Sequence, residues 1–377
     1  MTPILYLTRI LFDFGALKAL PEELAALGVS RPLLVTDRGI VASGLVETLR
    51  AALPGGAELA LFDGTPENPT EAAVEAAVAA YRAAGCDGLI ALGGGSSIDL
   101  AKGVALLATH PGPLEQYAAI LGGVPKITER VAPLIAIPTT AGTGSEVGRA
   151  ALITLRDGRK LGFLAPHMIP RVALCDPELT LGLPARLTAA TGMDAITHCV
   201  ETFLSPRDNP PAEAIALDGL ARGWSHIRRA VADGSDRQAR REMLLSSLMG
   251  GMTFQKGLGA VHAMSHPLGG LDSPRLHHGT LNAVILPAVL RFNAGHVGDK
   301  YARLARVLGL PEAADLAEAV EGLNADLGLP ASLREMGVPA EVLPRMVEGA
   351  LADHSNASNP RQATKADYEA LFAAAYG

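Results

Sequence analysis

Four histidines lie within seventeen residues, in the stretch VHAMSHPLGGLDSPRLHHG: His262, His266, His277 and His278. An earlier stretch, TGMDAITHCVETFL, contains Asp194 and His198 four residues apart, the same spacing as His262 and His266. Side chains four residues apart share one face of a helix, and imidazole and carboxylate groups together bind divalent metal ions. For a single aspartate and histidine at this spacing, the alternative to a metal site is a structural hydrogen bond between the two side chains. Because buried polar groups need partners, five histidines and an aspartate on three segments favour a shared metal ion.

Two stretches rich in glycine and hydroxyl residues follow apolar runs in the first half of the chain. In ALGGGSSIDLAK, Gly93–Ser97 would link a strand to a helix, where free N–H groups can bind a pyrophosphate. This stretch has Ile98 at the last glycine position of G-x-G-x-x-G, so a tight turn without a ligand is the alternative. IPTTAGTGSE follows another apolar run, at the edge where ligands bind in open parallel sheets. We therefore predict a nucleotide site at these two loops.

Asp37 ends the apolar run PLLVTD. A carboxylate at the end of such a strand can accept a hydrogen bond from a ribose 2′-hydroxyl and would repel a 2′-phosphate. This position predicts a preference for NAD over NADP, and a helix-capping or turn aspartate is the alternative.

The elements that must position these residues change type along the chain. Apolar runs at 32–37, 88–95 and 133–140 predict strands, and the helical pattern at 70–85 lies between two of them. This alternation predicts a doubly wound parallel sheet in an α/β domain at residues 1–182. After VALCDPELTLGLP, the patterns predict an all-helical domain at residues 183–377. Its predicted helices span residues 187–204, 210–232, 237–254, 258–269, 280–295, 298–308 and 312–327.

Composition excludes several classes of protein. The chain has 377 residues, of which 49% are hydrophobic, and this length favours two domains. A formal charge of -7 argues against nucleic acid or an anionic membrane surface as a partner. The N-terminal stretch MTPILYLTRILFDFG has no basic leader, and the three cysteines are widely separated and odd in number. We therefore expect a cytoplasmic protein with reduced thiols.

The motifs FDFGAL, LLVTD, NPT, GGGSSIDLAK, IPTTAGTGSE and NAVILPAVLRFN, together with the two histidine stretches, resemble the iron-containing, or group III, alcohol dehydrogenases. The resemblance covers nearly the whole chain. It implies a Rossmann-like domain followed by a helical domain, with NAD(P) and a divalent metal ion in the cleft between them. It also implies a homodimer.

The resemblance also implies roles for individual residues. The metal ligands would be Asp194, His198, His262 and His278. His266 would lie next to the metal and the nicotinamide without being a ligand. The residues that match the family's cofactor site are Asp37, Asn68, Gly94, Gly95, Ser96, Asp99, Thr139, Thr140, Thr143 and Lys160.

Two departures from the family pattern affect this assignment. Many relatives have a shorter segment with proline directly before the His-Gly pair, whereas this chain reads LDSPRLHHG, so His277 is the alternative to His278 as fourth ligand. Ala150 stands where some relatives carry a polar cofactor contact. Arg275, in the longer loop, could pair with a substrate carboxylate, and a solvated loop residue is the alternative.

The implied reaction is reversible hydride transfer between a small primary alcohol and NAD, with a metal ion as Lewis acid. Substrates would include hydroxy acids such as 4-hydroxybutyrate. Iron(II) is favoured by the resemblance, and zinc would suit the same donors. His266 is the candidate for proton transfer, since imidazole titrates near neutral pH. The alternatives are a metal-independent reductase similar to the maleylacetate reductases, and a catalytically silent nucleotide-binding homologue.

Overall fold

Six short strands form one parallel sheet in the computed structural model, which describes residues 8–55, 59–271 and 273–377. Their order in the sheet is β1-β8-β5-β4-β2-β3, and a separate antiparallel pair is formed by β6 and β7. The strands are β1 (Arg9–Phe12), β2 (Pro32–Val35), β3 (Ala60–Phe62), β4 (Gly88–Gly93), β5 (Leu134–Pro138), β6 (Ala150–Thr154), β7 (Lys160–Leu164) and β8 (Val172–Cys175).

The central strands are short apolar runs because both faces of the sheet are covered. Every residue of β2, β4 and β5 is buried. Alternate residues enter different apolar clusters: Leu33 and Val35 belong to one, and Leu34 belongs to the other. Burial on both faces is typical of parallel sheets in α/β proteins. The predicted Rossmann-like sheet is confirmed.

Helices make up most of the remaining structure. Five of them accompany the sheet: α1 (Leu20–Ala26), α2 (Arg38–Ala42), α3 (Leu45–Ala52), α4 (Glu71–Ala83) and α5 (Gly95–Thr109). Nine follow β8: α6 (Ala185–Leu204), α7 (Pro210–Ala232), α8 (Arg237–Met252), α9 (Ala260–Gly269), α10 (His278–Asn293), α11 (Lys300–Val307), α12 (Leu316–Asp326), α13 (Leu343–Ala352) and α14 (Lys365–Tyr376).

Capping residues and glycines in the sequence indicate where helices begin and end. The helix predicted at 70–85 is α4, which begins after its cap Thr70 and is followed by Gly85 at φ 59°. Each of the seven predicted C-terminal helices is present, with ends shifted by up to four residues. The pair β6 and β7 and the helices α13 and α14 were not predicted. Because β6 and β7 are five residues each and only partly buried, their apolar pattern is weak.

The contacts divide the chain into two units. One extends from the start of the described chain to Thr140 and includes Ser145–Gly182. The other contains Leu183–Gly377 together with Ala141–Gly144, so Thr143 belongs to the helical unit. Within the described residues, none of the helices is both long and apolar enough to cross a lipid bilayer. The first seven residues of the N-terminal stretch considered above lie outside the described residues.

Candidate metal centre and cofactor site

Three helices of the second unit carry the predicted metal ligands. Asp194 and His198 lie on α6, His262 lies on α9, and α10 begins at His278. Helix α10 packs against both α6 and α9. Its approach to α6 is close at Gly279, where an added Cβ would lie 2.1 Å from a backbone oxygen of α6. The glycine after His278 therefore allows α10 to bring this imidazole to α6.

The carboxylate of Asp194 lies at the centre of the histidine cluster. Its Oδ1 is 3.5 Å from Nε2 of His198. The same oxygen is 3.9 Å from Nε2 of His262 and 3.7 Å from Nε2 of His278. One ligand atom from each of Asp194, His262 and His278 lies within 4.8 Å of the other two. The structure therefore brings the three predicted histidine ligands within 4 Å of a carboxylate oxygen of the fourth, Asp194.

The two most deeply buried histidines present Nε2 to the carboxylate because Nδ1 is held elsewhere. Nδ1 of His262 lies 2.5 Å from Oε2 of Glu201, and Nδ1 of His198 lies 3.2 Å from the backbone oxygen of Gly142. Burial lowers the pKa of His198 to about 4 and that of His262 to about 3. Both imidazoles are therefore neutral at pH 7, and a neutral imidazole is the form that binds metal.

Glu201 contacts the predicted ligand His262 and was not among the residues predicted from the sequence. It is buried, and its Oε1 accepts a hydrogen bond of 2.8 Å from the backbone N–H of Val261. Burial raises the pKa of Glu201 to about 7, and the backbone N–H groups oppose this rise. A carboxylate behind a ligand histidine fixes its ring orientation and raises its basicity. The signal was present in the sequence, because Glu201 follows Asp194 by seven residues, or two helical turns.

His266 lies beside the metal cluster. Its ring centroid is 5.6 Å from that of His262 and 5.7 Å from that of His278. Its Nδ1 lies 2.8 Å from Oδ2 of Asp353, and its ring also stacks on His354. Burial favours the neutral acid of Asp353, but attraction to His266 and His354 holds its pKa below its usual range. Asp353 therefore holds the ring of His266 through Nδ1.

The loop before α10 contains Arg275, the proposed substrate contact, and His277, the alternative to His278 as fourth metal ligand. His277 is the half-buried N-cap of α10, and Arg275 is exposed. Asp272, from the same loop, lies outside the described residues. His278 begins α10, and its Nε2 lies 3.7 Å from Oδ1 of Asp194.

The predicted nucleotide loops follow β4 and β5, which are neighbours in the sheet. Gly94 connects β4 to α5, whose first turn contains Gly95 and Ser96, and Thr139 and Thr140 follow β5. The backbone N–H of Thr139 donates to the oxygen of Gly93 over 3.0 Å, which joins the two strand ends. Their residues therefore line one edge of the sheet, where open α/β folds bind ligands.

Asp37 follows β2, the strand on the other side of β4. Its Oδ1 accepts the backbone N–H of Ile40 over 3.0 Å and caps α2, as the alternative interpretation expected. Its Oδ2 lies 3.4 Å from the hydroxyl of Ser97, next to the glycine-rich loop. One carboxylate oxygen therefore has a structural role, while the other lies beside the predicted nucleotide loop.

The remaining predicted cofactor residues form hydrogen bonds that order the site. Nζ of Lys160 donates to Oδ1 of Asn68 over 3.0 Å. Asp99 accepts the hydroxyl of Ser145 over 2.5 Å and the backbone N–H of Leu152 over 2.9 Å. Asp99 thus anchors the loop after β5 and the strand β6. The structure gives this carboxylate an anchoring role that the motif alone did not indicate.

The regions that match known proteins cover nearly the whole chain. The family model described as iron-containing alcohol dehydrogenase matches residues 8–177, and that of the C-terminal part of the Fe-containing alcohol dehydrogenase family matches residues 188–376. The chain is 58% identical to a 4-hydroxybutyrate dehydrogenase of Cupriavidus necator, over 99% of both chains. A solved 1,3-propanediol oxidoreductase is 39% identical, with a TM-score of 0.92 over 100% of both chains. A sulfoacetaldehyde reductase from Bifidobacterium kashiwanohense, solved in complex with NAD+, is 26% identical, with a TM-score of 0.90 over 100% of this chain and 98% of its own.

Proposed function

This chain belongs to the family of iron-containing alcohol dehydrogenases, and we propose that it interconverts 4-hydroxybutyrate and its semialdehyde, using NAD and one divalent metal ion. The observation that carries the proposal is the convergence of Asp194, His262 and His278, with ligand atoms within 4.8 Å of one another. The 58% identity to a 4-hydroxybutyrate dehydrogenase supports the substrate.

We propose that the ion is held by Asp194 together with His198, His262 and His278. The donor set fits a divalent ion, since buried neutral imidazoles already direct Nε2 toward a buried carboxylate. Three neutral imidazoles and one carboxylate would leave a charge of +1 with the ion, which favours negative charge developing on an alcohol oxygen. The family supports iron(II), and zinc accepts the same donors.

When bound, the ion supplies a Lewis acid for the alcohol oxygen, and NAD supplies the hydride acceptor. The residue proposed to move the proton is His266. Asp353 orients the ring by accepting a hydrogen bond from Nδ1–H, which leaves Nε2 to take up the hydroxyl proton directly or through water. The ring of His354 stacks on His266 and its side chain is 59% exposed, which supports a route for the proton toward solvent.

NAD is the proposed cofactor in preference to NADP. The support is the strand-end position of Asp37 and the structure of a relative in complex with NAD+. We propose that Gly94–Ser96 approach the pyrophosphate and that Thr139, Thr140 and Thr143 contribute hydroxyl groups. Asn68 and Lys160 would contact the cofactor as a hydrogen-bonded pair. In this proposal Asp99 acts by holding the loop in place.

Removal of the metal ion is the experiment that tests the proposed function. Protein purified without oxygen should reduce NAD with 4-hydroxybutyrate, lose this activity after exhaustive chelation, and regain it with iron(II) or zinc. The reason is that the Lewis acid lowers the barrier by several kcal/mol, so its removal should slow the reaction roughly a thousandfold or more. The measurement is NADH formation at 340 nm, with ion content determined on the same samples.

Two results would contradict this proposal. Full activity after complete removal of the ion would indicate a metal-independent reductase, in which the histidines line the pocket directly. NAD binding without turnover on a panel of primary alcohols and hydroxy acids would indicate a silent homologue.

Arg275 is the proposed contact for the substrate carboxylate. Arg275→Ala should lower kcat/KM for 4-hydroxybutyrate by roughly 10- to 100-fold, because a charge-assisted hydrogen bond is worth about 1.5 to 3 kcal/mol. Butanol, which has no carboxylate, should be oxidised as before. Steady-state kinetics with both substrates measure the effect.

Arg345→Ala provides the matched control for Arg275→Ala, since Arg345 is another exposed arginine of the same unit. It should leave both substrates unaffected. An equal decrease for butanol and 4-hydroxybutyrate in Arg275→Ala would eliminate the carboxylate role.

We also propose a cytoplasmic location and a homodimer. The location is supported by Cys86, Cys175 and Cys199, which are free thiols. The homodimer follows from the family resemblance, and sedimentation equilibrium would determine the mass of the assembly.

A further inference from the structure

Asn282 lies within the proposed metal site although no metal motif includes it. It is fully buried and follows His278 by one turn of α10. Its Nδ2 lies 2.7 Å from Oδ1 of Asp194. The same nitrogen lies 3.2 Å from Nε2 of His262 and 3.2 Å from Nε2 of His278. A single amide group therefore faces one ligand atom on each of three helices.

Of these three contacts, the one with Asp194 is expected to affect the geometry of the metal site most. A carboxylate rotates easily about its last side-chain bond, so its orientation depends on the groups that donate to it. An N–H donor to an ionised carboxylate is among the stronger hydrogen bonds in proteins. The oxygen that Asn282 contacts is the one nearest to Nε2 of the ligand histidines. Fixing this oxygen therefore fixes the point around which the ligands are arranged.

Burial of Asn282 is difficult to explain as packing. The neighbouring residues of α10 are apolar and buried, among them Leu281, Ala283 and Val284. Within the described part of the chain, Oδ1 of Asn282 has no hydrogen-bond partner. A buried polar atom without a partner costs free energy that leucine at this position would avoid. The contacts that remain to offset this cost are those with the proposed ligands.

We propose that Asn282 is a positioning residue of the metal site, which orients the carboxylate of Asp194 and thereby increases the affinity of the protein for its divalent ion. This inference rests on the proposed function. Residues that hold metal ligands in orientation typically contribute 10- to 100-fold to metal affinity.

The chain offers a matched control in Asn324. This residue is also a buried helical asparagine of the same unit, and its Oδ1 is likewise without a partner among the described residues. Its Nδ2 donates to the backbone oxygen of Ala283 over 2.7 Å and not to a proposed ligand. Asn282→Leu and Asn324→Leu should therefore both alter stability, whereas only the first should alter the metal site.

The test is the dissociation constant of the full-length protein for Zn²⁺, measured by competition with a fluorescent chelator, with thermal unfolding recorded in parallel. Asn282→Leu should bind Zn²⁺ roughly 10- to 100-fold more weakly than the wild type, and Asn324→Leu should bind as the wild type does. Co²⁺ in place of Zn²⁺ should give a changed visible absorption spectrum in Asn282→Leu alone. Asn282→Ala, which suits a helix and removes the same donor, should repeat both results.

An unchanged dissociation constant and Co²⁺ spectrum in the Asn282 variants would overturn the inference. Equal weakening by Asn324→Leu would also overturn it, because the effect would then follow from lost stability. A wild-type protein that binds neither Zn²⁺ nor Fe²⁺ would refute the proposed metal site itself, so the two failures are distinguishable.

Discussion

Asp194→Ala should abolish ion binding and lower kcat/KM for 4-hydroxybutyrate by roughly a thousandfold or more. The side chain provides the only carboxylate among the four proposed ligands, and its Oδ1 lies within 4 Å of Nε2 of each of the others. Loss of the ion removes several kcal/mol of charge stabilisation, and each 1.36 kcal/mol corresponds to tenfold in rate. Elemental analysis of the purified variant and NADH formation measure the two effects.

Asp176→Ala is the control for removing a buried aspartate. Asp176 lies in the other unit and accepts backbone N–H bonds from Gly15 and Leu17. Its replacement should lower the unfolding temperature and leave the ion content unchanged. A fully active Asp194→Ala variant, or one with its full complement of ion, would refute the assignment of this ligand.

His266→Ala should lower kcat by about a hundredfold or more while the protein retains its ion. General acid–base groups contribute about 10²- to 10⁴-fold to catalysis, and His266 is the proposed carrier of the alcohol proton. Its Nδ1 is bound to Asp353, and its ring packs against His262 and His278 without belonging to the proposed ligand set. The ratio of kcat to ion content separates loss of proton transfer from loss of metal.

Two further variants sharpen this experiment. Asp353→Asn keeps the shape of the side chain but removes the charge that orients His266, so its kcat should lie between those of the wild type and His266→Ala. His226→Ala removes a histidine of α7 whose Nδ1 contacts the backbone oxygen of Arg222, and its kcat should equal that of the wild type. If His266→Ala loses its ion, the residue is a ligand, and the proton-transfer role is wrong.

The strands and helices could be predicted from the sequence because the residues that indicate each element lie close together in the chain. The buried run of β4 and the capped, alanine-rich α4 were evident from neighbouring residues alone. The pairs Asp194 and His198, and His262 and His266, were evident for the same reason, since residues four apart on a helix share a face. Glu201 lies about one turn beyond His198, and Asn282 lies one turn beyond His278. Both were missed because glutamate and asparagine at such positions are usually solvated.

Other features depended on residues that meet only after folding. Asp353 lies 87 residues from His266, and no spacing rule links residues so far apart. The position of His278 beside Asp194 depends on the start of α10 and on the close approach at Gly279, which are properties of packed helices. Asp99 lies in a motif typical of cofactor binding, and its contacts with Ser145 and with Leu152 of β6 were not evident from that motif. Local spacing thus predicted which side chains share a face, because backbone geometry repeats along each element. Which faces meet depends on packing between elements, and this required the folded chain.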